Sequence, residues 1–161
     1  MEHQLRLHRC CFTGHRPEKL KSSESNIKSK LKKEILSAIK AGFTTFITGM
    51  ARGTDIWAAE LVIEFRDSGF PIKLICASPF EGFENNWETE WKQRYNQVME
   101  KADLVRFICQ YYSPSCFQIR NQWMVDHSMR VIAIYNGSAG GTRNTINYAN
   151  SKNIPVVTVQ A

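Results

Sequence analysis

Six short apolar runs alternate with stretches whose apolar residues recur at helical spacing, and this alternation constrains the fold more than any other property of the chain. Leu7–Phe12 precedes Ile27–Ala41, where Ile27, Leu31, Ile35 and Ile39 fall every four residues before Gly42. Thr44–Thr48 precedes Thr54–Ser68, which places Trp57, Ala58, Leu61, Val62 and Phe65 on one helical face. Ile72–Ala77 is followed by Trp87, Trp91, Tyr95 and Val98, the stripe of a further helix. Leu104–Ile108 leads into Ser115–Ser128, Arg130–Tyr135 into Thr142–Ser151, and Val156–Val159 closes the series after Pro155. Strands that are apolar throughout need cover on both faces, and a helix after each strand makes parallel βαβ units. The expected fold is therefore α/β, an open, doubly wound, mainly parallel sheet with helices on both faces. No repeat, low-complexity tract or linker interrupts the 161 residues, so residues 1–161 read as a single domain.

The net charge of +6 suggests a nucleic-acid partner until it is located. Residues 1–40 carry ten Lys and Arg against four Asp and Glu, whereas residues 41–161 carry eleven of each. The excess sits in and before the 27–41 helix, where Lys28, Lys30, Lys32 and Lys33 flank the apolar stripe. Such a face is either a solvated helix exterior or a footprint for a phosphate backbone. No apolar run is long enough to span a bilayer, and no apolar core follows Met1, so the expected location is the cytoplasm, with no membrane partner. Five cysteines without CxxC spacing and four histidines without HxxxH or HxH spacing argue against a disulfide framework or a metal site. The open sheet edge and apolar helix faces permit a homodimer without demanding one.

In an open parallel sheet, ligands bind beyond the carboxyl ends of the strands, so the residues just after each strand carry the functional signal. The first strand runs into Thr13, Gly14, His15 and Arg16; the second into Gly49, Ala51, Arg52, Gly53 and Asp55; the third into Ser78. The fifth runs into Gly140, Gly141, Thr142, Arg143 and Asn144. Glycines let backbone amides approach a ligand, helix N-termini add unpaired N–H groups and a positive dipole end, and arginines add bidentate forks. This combination suits phosphate, with Arg16, Arg52 and Arg143 as anionic anchors and Thr13, Thr142 and Asn144 orienting the ligand. Ordinary tight turns and helix caps would use some of the same residues. Asp55 suits either a ribose hydroxyl or a cap on its own helix, and His15 either acid–base work or a turn. GxGxxG and the GxxxxGK[ST] loop are both absent, which argues against a hydrolytic ATPase or GTPase.

The segments TGHRP, TGMARGTDIWAAE and GGTRNTINYA, in that order, together with WMVDHS at 123–128, resemble the YpsA-like branch of the SLOG superfamily. That superfamily is related to the DNA-processing protein DprA/Smf and to the LOG phosphoribohydrolases. The resemblance implies a Rossmann-like fold with a pocket for a nucleotide-derived ligand such as an NAD or ADP-ribose derivative, needing no further cofactor. It implies no reaction. The LOG motif PGGxGTxxE is incomplete here: Gly141 and Thr142 match its GT, but Thr145 stands at the acidic position and no Pro-Gly-Gly precedes.

Three functions stay in view. The leading one is binding or sensing of a nucleotide-like small molecule. The second is single-stranded DNA binding, motivated by the basic helix, by Trp87, Trp91 and Tyr95, and by the likeness of TGMARGTD to the DprA phosphate loop. The third is an N-glycosidic phosphoribohydrolase-like enzyme with His15, Asp55 or Asp126 as acid–base groups. That enzyme lacks its motif carboxylate, and Glu60, Glu81 and Glu84 are substitutes tied to no motif.

Overall fold

The computed structural model describes residues 2–161. A short helix α1 (Glu2–Arg6) precedes β1 (Arg9–Gly14), a 3-10 turn (Pro17–Lys19), α2 (Glu24–Lys40), β2 (Thr45–Thr48), α3 (Thr54–Asp67) and β3 (Lys73–Ser78). The chain continues through α4 (Thr89–Lys101), β4 (Leu104–Phe107), α5 (Cys116–Asp126), β5 (Arg130–Tyr135), α6 (Gly141–Ser151) and β6 (Val156–Gln160). The six strands form one sheet in the order β4-β3-β2-β1-β5-β6, and every pairing is parallel. This is a Rossmann-like doubly wound sheet. The order runs outward from β1 to β4 on one side and from β5 to β6 on the other, so the topological switch point lies between β1 and β5.

Alternation along the strands divides the core. Cys10 and Phe12 of β1 share one cluster with Phe46, Leu74, Ile132 and Ile134, covered by Ile27, Leu31 and Ile35 of α2 and by α3 and α4. Cys11 points to the other face with Ile47, Ile75 and Val131, beneath Met124 and Val125 of α5 and Ala149 of α6. The four-residue spacing of Ile27, Leu31 and Ile35 holds all three fully buried. At roughly 1.5–3 kcal/mol for each buried aliphatic side chain, that stripe alone outweighs any surface ion pair of α2. Ser23 begins the helix by accepting the N–H of Asn26 at 3.2 Å.

Most boundaries shift by one to three residues from the sequence expectation, and two of the shifts have a visible cause. The first strand starts at Arg9 rather than Leu7, because the His8 carbonyl already turns to accept the N–H groups of Thr44 and Thr45 and Leu7 stays exposed. The Trp87 stripe begins two residues ahead of its helix: the Trp87 N–H closes a turn onto the Glu84 carbonyl at 3.0 Å, and α4 starts at Thr89. Among the described residues no helix is long and apolar enough to cross a membrane.

Candidate functional site at the switch point

The carboxyl end of β1 is fastened to the start of α3 by two glycines. A Cβ on Gly14 would lie 2.4–2.5 Å from the side chain of Thr54, so no larger residue fits there. Gly53 has φ +88° and would bring a Cβ to 2.9 Å from the His15 carbonyl oxygen and from Pro17 Cδ. With both positions open, the Thr54 hydroxyl donates to the His15 carbonyl at 3.2 Å. The loops after β1 and β2 are thereby locked together across the sheet edge.

A cavity of about 510 Å³ opens beside this junction. Thr13, Gly14, His15 and Arg16 line it from the first loop, Ala51, Arg52 and Asp55 from the second, and Gly141 and Thr142 from the first turn of α6. Glu18 and Lys19 of the 3-10 turn, Phe83 and Trp87 of the β3–α4 loop, and Phe117, Arg120 and Asn121 of α5 complete the wall. Its four cationic side chains outnumber its two carboxylates, so the cavity favours an anion.

Asp55 sits in the first turn of α3, yet it does not cap that helix. Its Oδ2 accepts the N–H of Ala51 at 3.2 Å, while Thr48 Oγ1 donates to the Asp55 backbone carbonyl at 2.8 Å. Oδ1 is buried and finds no hydrogen-bond partner among the described residues. Burial pushes the Asp55 carboxyl up to about 6, against the opposing pull of the Arg120 charge and the Ala51 N–H. Arg120 is itself buried, which lowers its pKa, whereas Asp55 raises it. Its Nη1 donates to the Gly49 carbonyl and its Nε to Asn121 Oδ1 at 2.7 Å. Gly49 lies between the two charges: a Cβ there would come within 3.0 Å of both the Arg120 guanidinium and Asp55 Oδ2.

His15 ties the first loop to the loop after β5. The Asn136 backbone N–H donates to its Nε2 at 3.1 Å, so the neutral imidazole carries its proton on Nδ1. Burial and the nearby Lys19 charge lower its pKa, which favours that neutral form. Lys19 Nζ donates to the Ala139 carbonyl at 3.2 Å, and Arg52 Nη1 meets Glu18 Oε1 at 2.5 Å. The 3-10 turn is thus pinned from both sides at the cavity wall.

The structure brings Arg16, Arg52, Asp55 and the amide end of α6 to one hollow. Arg143 and Asn144 are exposed in the first turn of α6 and do not line it. Gly140, at φ +140°, caps α6 beside Lys19. Ser78 is buried and shares a 2.8 Å hydrogen bond with the Tyr95 hydroxyl. Tyr95 is core, Trp91 packs against Trp57 at 6.1 Å, and Trp87 alone of that stripe reaches the cavity. The basic face of α2 is partly neutralised: Lys28 pairs with Glu24 and Glu60, and Lys32 with Glu64. Lys30 donates to the Gln160 carbonyl. Glu60 belongs to an ion-pair network with Arg94, and Asp126 accepts from the Tyr148 hydroxyl; neither lines the cavity, nor do Glu81 and Glu84.

The α5 residues and the aromatic wall escape a reading confined to the turns after strands. Apart from Trp87, which its aromatic stripe marks out, the sequence signal for them is the three-residue spacing of Phe117 and Arg120, which puts both on one face of a helix.

The family model described as the YspA SLOG family matches residues 10–160. An uncharacterized SPbeta prophage-derived protein of Bacillus subtilis, YoqJ, is 36% identical over 137 residues, covering 74% of this chain and 80% of the relative. DNA processing protein A of Streptococcus pneumoniae superposes with a TM-score of 0.68 at 15% identity, over 98% of this chain and 52% of its own. This chain therefore spans about half of that protein. The DNA processing protein A of Helicobacter pylori, described by its unique single-stranded DNA binding mode, gives a TM-score of 0.67 at 16% identity, over 99% and 68% of the two chains.

Proposed function

The chain belongs to the YspA SLOG family, and from that premise we propose that its cavity binds a nucleotide-derived small molecule, acting as a binding or sensing module. The observation that carries this reading is Asp55 Oδ1, a buried acceptor without a hydrogen-bond partner among the described residues, in the wall of a cavity of positive balance. A buried carboxylate oxygen left unpaired is costly, and a ligand hydroxyl or amine would satisfy it. Arg16 and Arg52 would hold the phosphate, helped by the N–H groups at the start of α6. A ligand combining an anion with a hydroxyl or amine donor close by is what nucleotides and their ADP-ribose-like derivatives offer.

The site favours binding over turnover. Thr145, at the position of the missing acid, spends its hydroxyl on the Gly141 carbonyl at 2.8 Å. Glu18 and Asp55 are the only carboxylates lining the cavity among the described residues, and Glu18 is engaged by Arg52. His15 Nε2 is occupied by Asn136. N-glycosidic cleavage needs a carboxylate placed to support the developing positive charge, with a second group for the leaving base.

A second reading, single-stranded nucleic acid, draws support from the Helicobacter pylori neighbour and from Tyr111 and Tyr112, which are 74% and 62% exposed. Its backbone track would avoid the paired lysines of α2. Thermal unfolding with AMP, NAD, ADP-ribose and cyclic dinucleotides tests the main reading. A ligand at 100 times its Kd should add about 2.7 kcal/mol, or about 5–10 °C for a chain of this size. No shift with any of them refutes the reading; a steeply salt-dependent oligonucleotide affinity in its place establishes the second.

A further inference from the structure

Resting on the phosphate reading above, we propose that Phe83, Trp87 and Phe117 form a seat for a planar nucleobase, which makes the ligand class a nucleoside phosphate and not a bare sugar phosphate. The cavity is chemically two-sided. Its charged side chains serve an anion, yet three half-buried aromatic rings also line it, and an anion gains nothing from them.

Those rings come from separate parts of the chain. Phe83 and Trp87 stand on the loop before α4, and Phe117 in the first turn of α5. Phe83 meets Trp87 at 4.9 Å and 73°, and Phe117 at 5.6 Å and 52°. Phe80 contacts both phenylalanines, at 5.6 and 6.2 Å, and Tyr95 abuts Trp87 edge-on at 5.5 Å. Edge-to-face and tilted contacts of this kind fix ring orientation, so the wall is organised before anything binds. An aromatic surface held rigid but left half-open in a cavity suits a flat, polarisable partner, because every base has a π-face. Phe117 lies three residues before Arg120, so one helix face carries both the aromatic seat and the guanidinium that steadies Gly49 and Asp55.

Isothermal titration of the full chain with AMP, GMP, CMP and UMP, against ribose 5-phosphate and inorganic phosphate, tests the assignment. Stacking predicts that at least one nucleoside monophosphate binds roughly 5- to 150-fold more tightly than ribose 5-phosphate. Trp87→Leu should abolish that advantage while leaving ribose 5-phosphate affinity unchanged, and Trp87→Phe should restore much of it. Phe117→Leu repeats the test from another element, should Trp87→Leu fail to fold. Equal affinity for ribose 5-phosphate and all four nucleotides would overturn the base seat and leave the phosphate site standing. Failure of every phosphate compound to bind would overturn both.

Discussion

Replacing Asp55 with asparagine keeps the shape of the side chain and its acceptor for the Ala51 N–H but removes a buried ionisable group. In the unfolded chain that carboxyl releases its proton near 3.9, whereas in the fold it holds on until about 6. Between those values the native state binds more protons than the unfolded state, so this group's contribution to stability falls as pH rises through the window. The loss is complete above about pH 7 and, at 1.36 kcal/mol per unit, amounts to about 3 kcal/mol. Asp55→Asn has no such window. Relative to the parent it should therefore gain about 2.5 kcal/mol between pH 4 and pH 8, whatever fixed cost the amide carries. Urea denaturation of both proteins across that range gives the difference directly, and titrations shared by both proteins cancel. A variant whose relative stability stays flat within about 1 kcal/mol would refute a carboxyl held back by burial. The same variant should bind the ligand more weakly, since an amide replaces the charged acceptor; gained stability with lost binding marks a site built at the expense of the fold.

Gly53→Ala should cost about 1–3 kcal/mol in the same assay, because φ +88° and a 2.9 Å approach to the His15 carbonyl both exclude a Cβ; a neutral result would mean that the two loops are not locked together. Glu18→Gln should change stability by less than about 1 kcal/mol, since Glu18 is largely exposed, yet raise the affinity for nucleotide phosphate up to about fivefold by releasing the Arg52 fork. Titration calorimetry decides it, and unchanged or weaker binding would show that Glu18 does not compete with the ligand.

The sheet, its parallel sense and five of its helices were legible because their signals are local: Ile27, Leu31 and Ile35 need nothing beyond their spacing to find the core. The glycine turns were legible for a related reason. Gly14 and Gly53 each follow a readable strand closely, and strand ends mark the ligand edge of a parallel sheet. Asp55 was ambiguous because capping and ligand binding call for the same residue at a helix start; only the turn of loop 50–52 back onto Oδ2 separates them. Arg120 was illegible for a topological reason. Its helix leaves β4 at one margin of the sheet and crosses behind β3 to reach β1, so its first turns meet the loops after β1 and β2, strands far from it in sequence. Apolar residues also lie all around α5, since Phe117 serves the cavity while Met124 and Val125 serve the core. No single face then stands out for the periodicity to reveal. The general consequence is that in a doubly wound sheet the crossover helix changes faces at the point where the ligand crevice opens. Its N-terminal turns then belong to the site as much as the glycine loops do, and a basic residue on the same helical face as an aromatic one is the trace this leaves in the sequence.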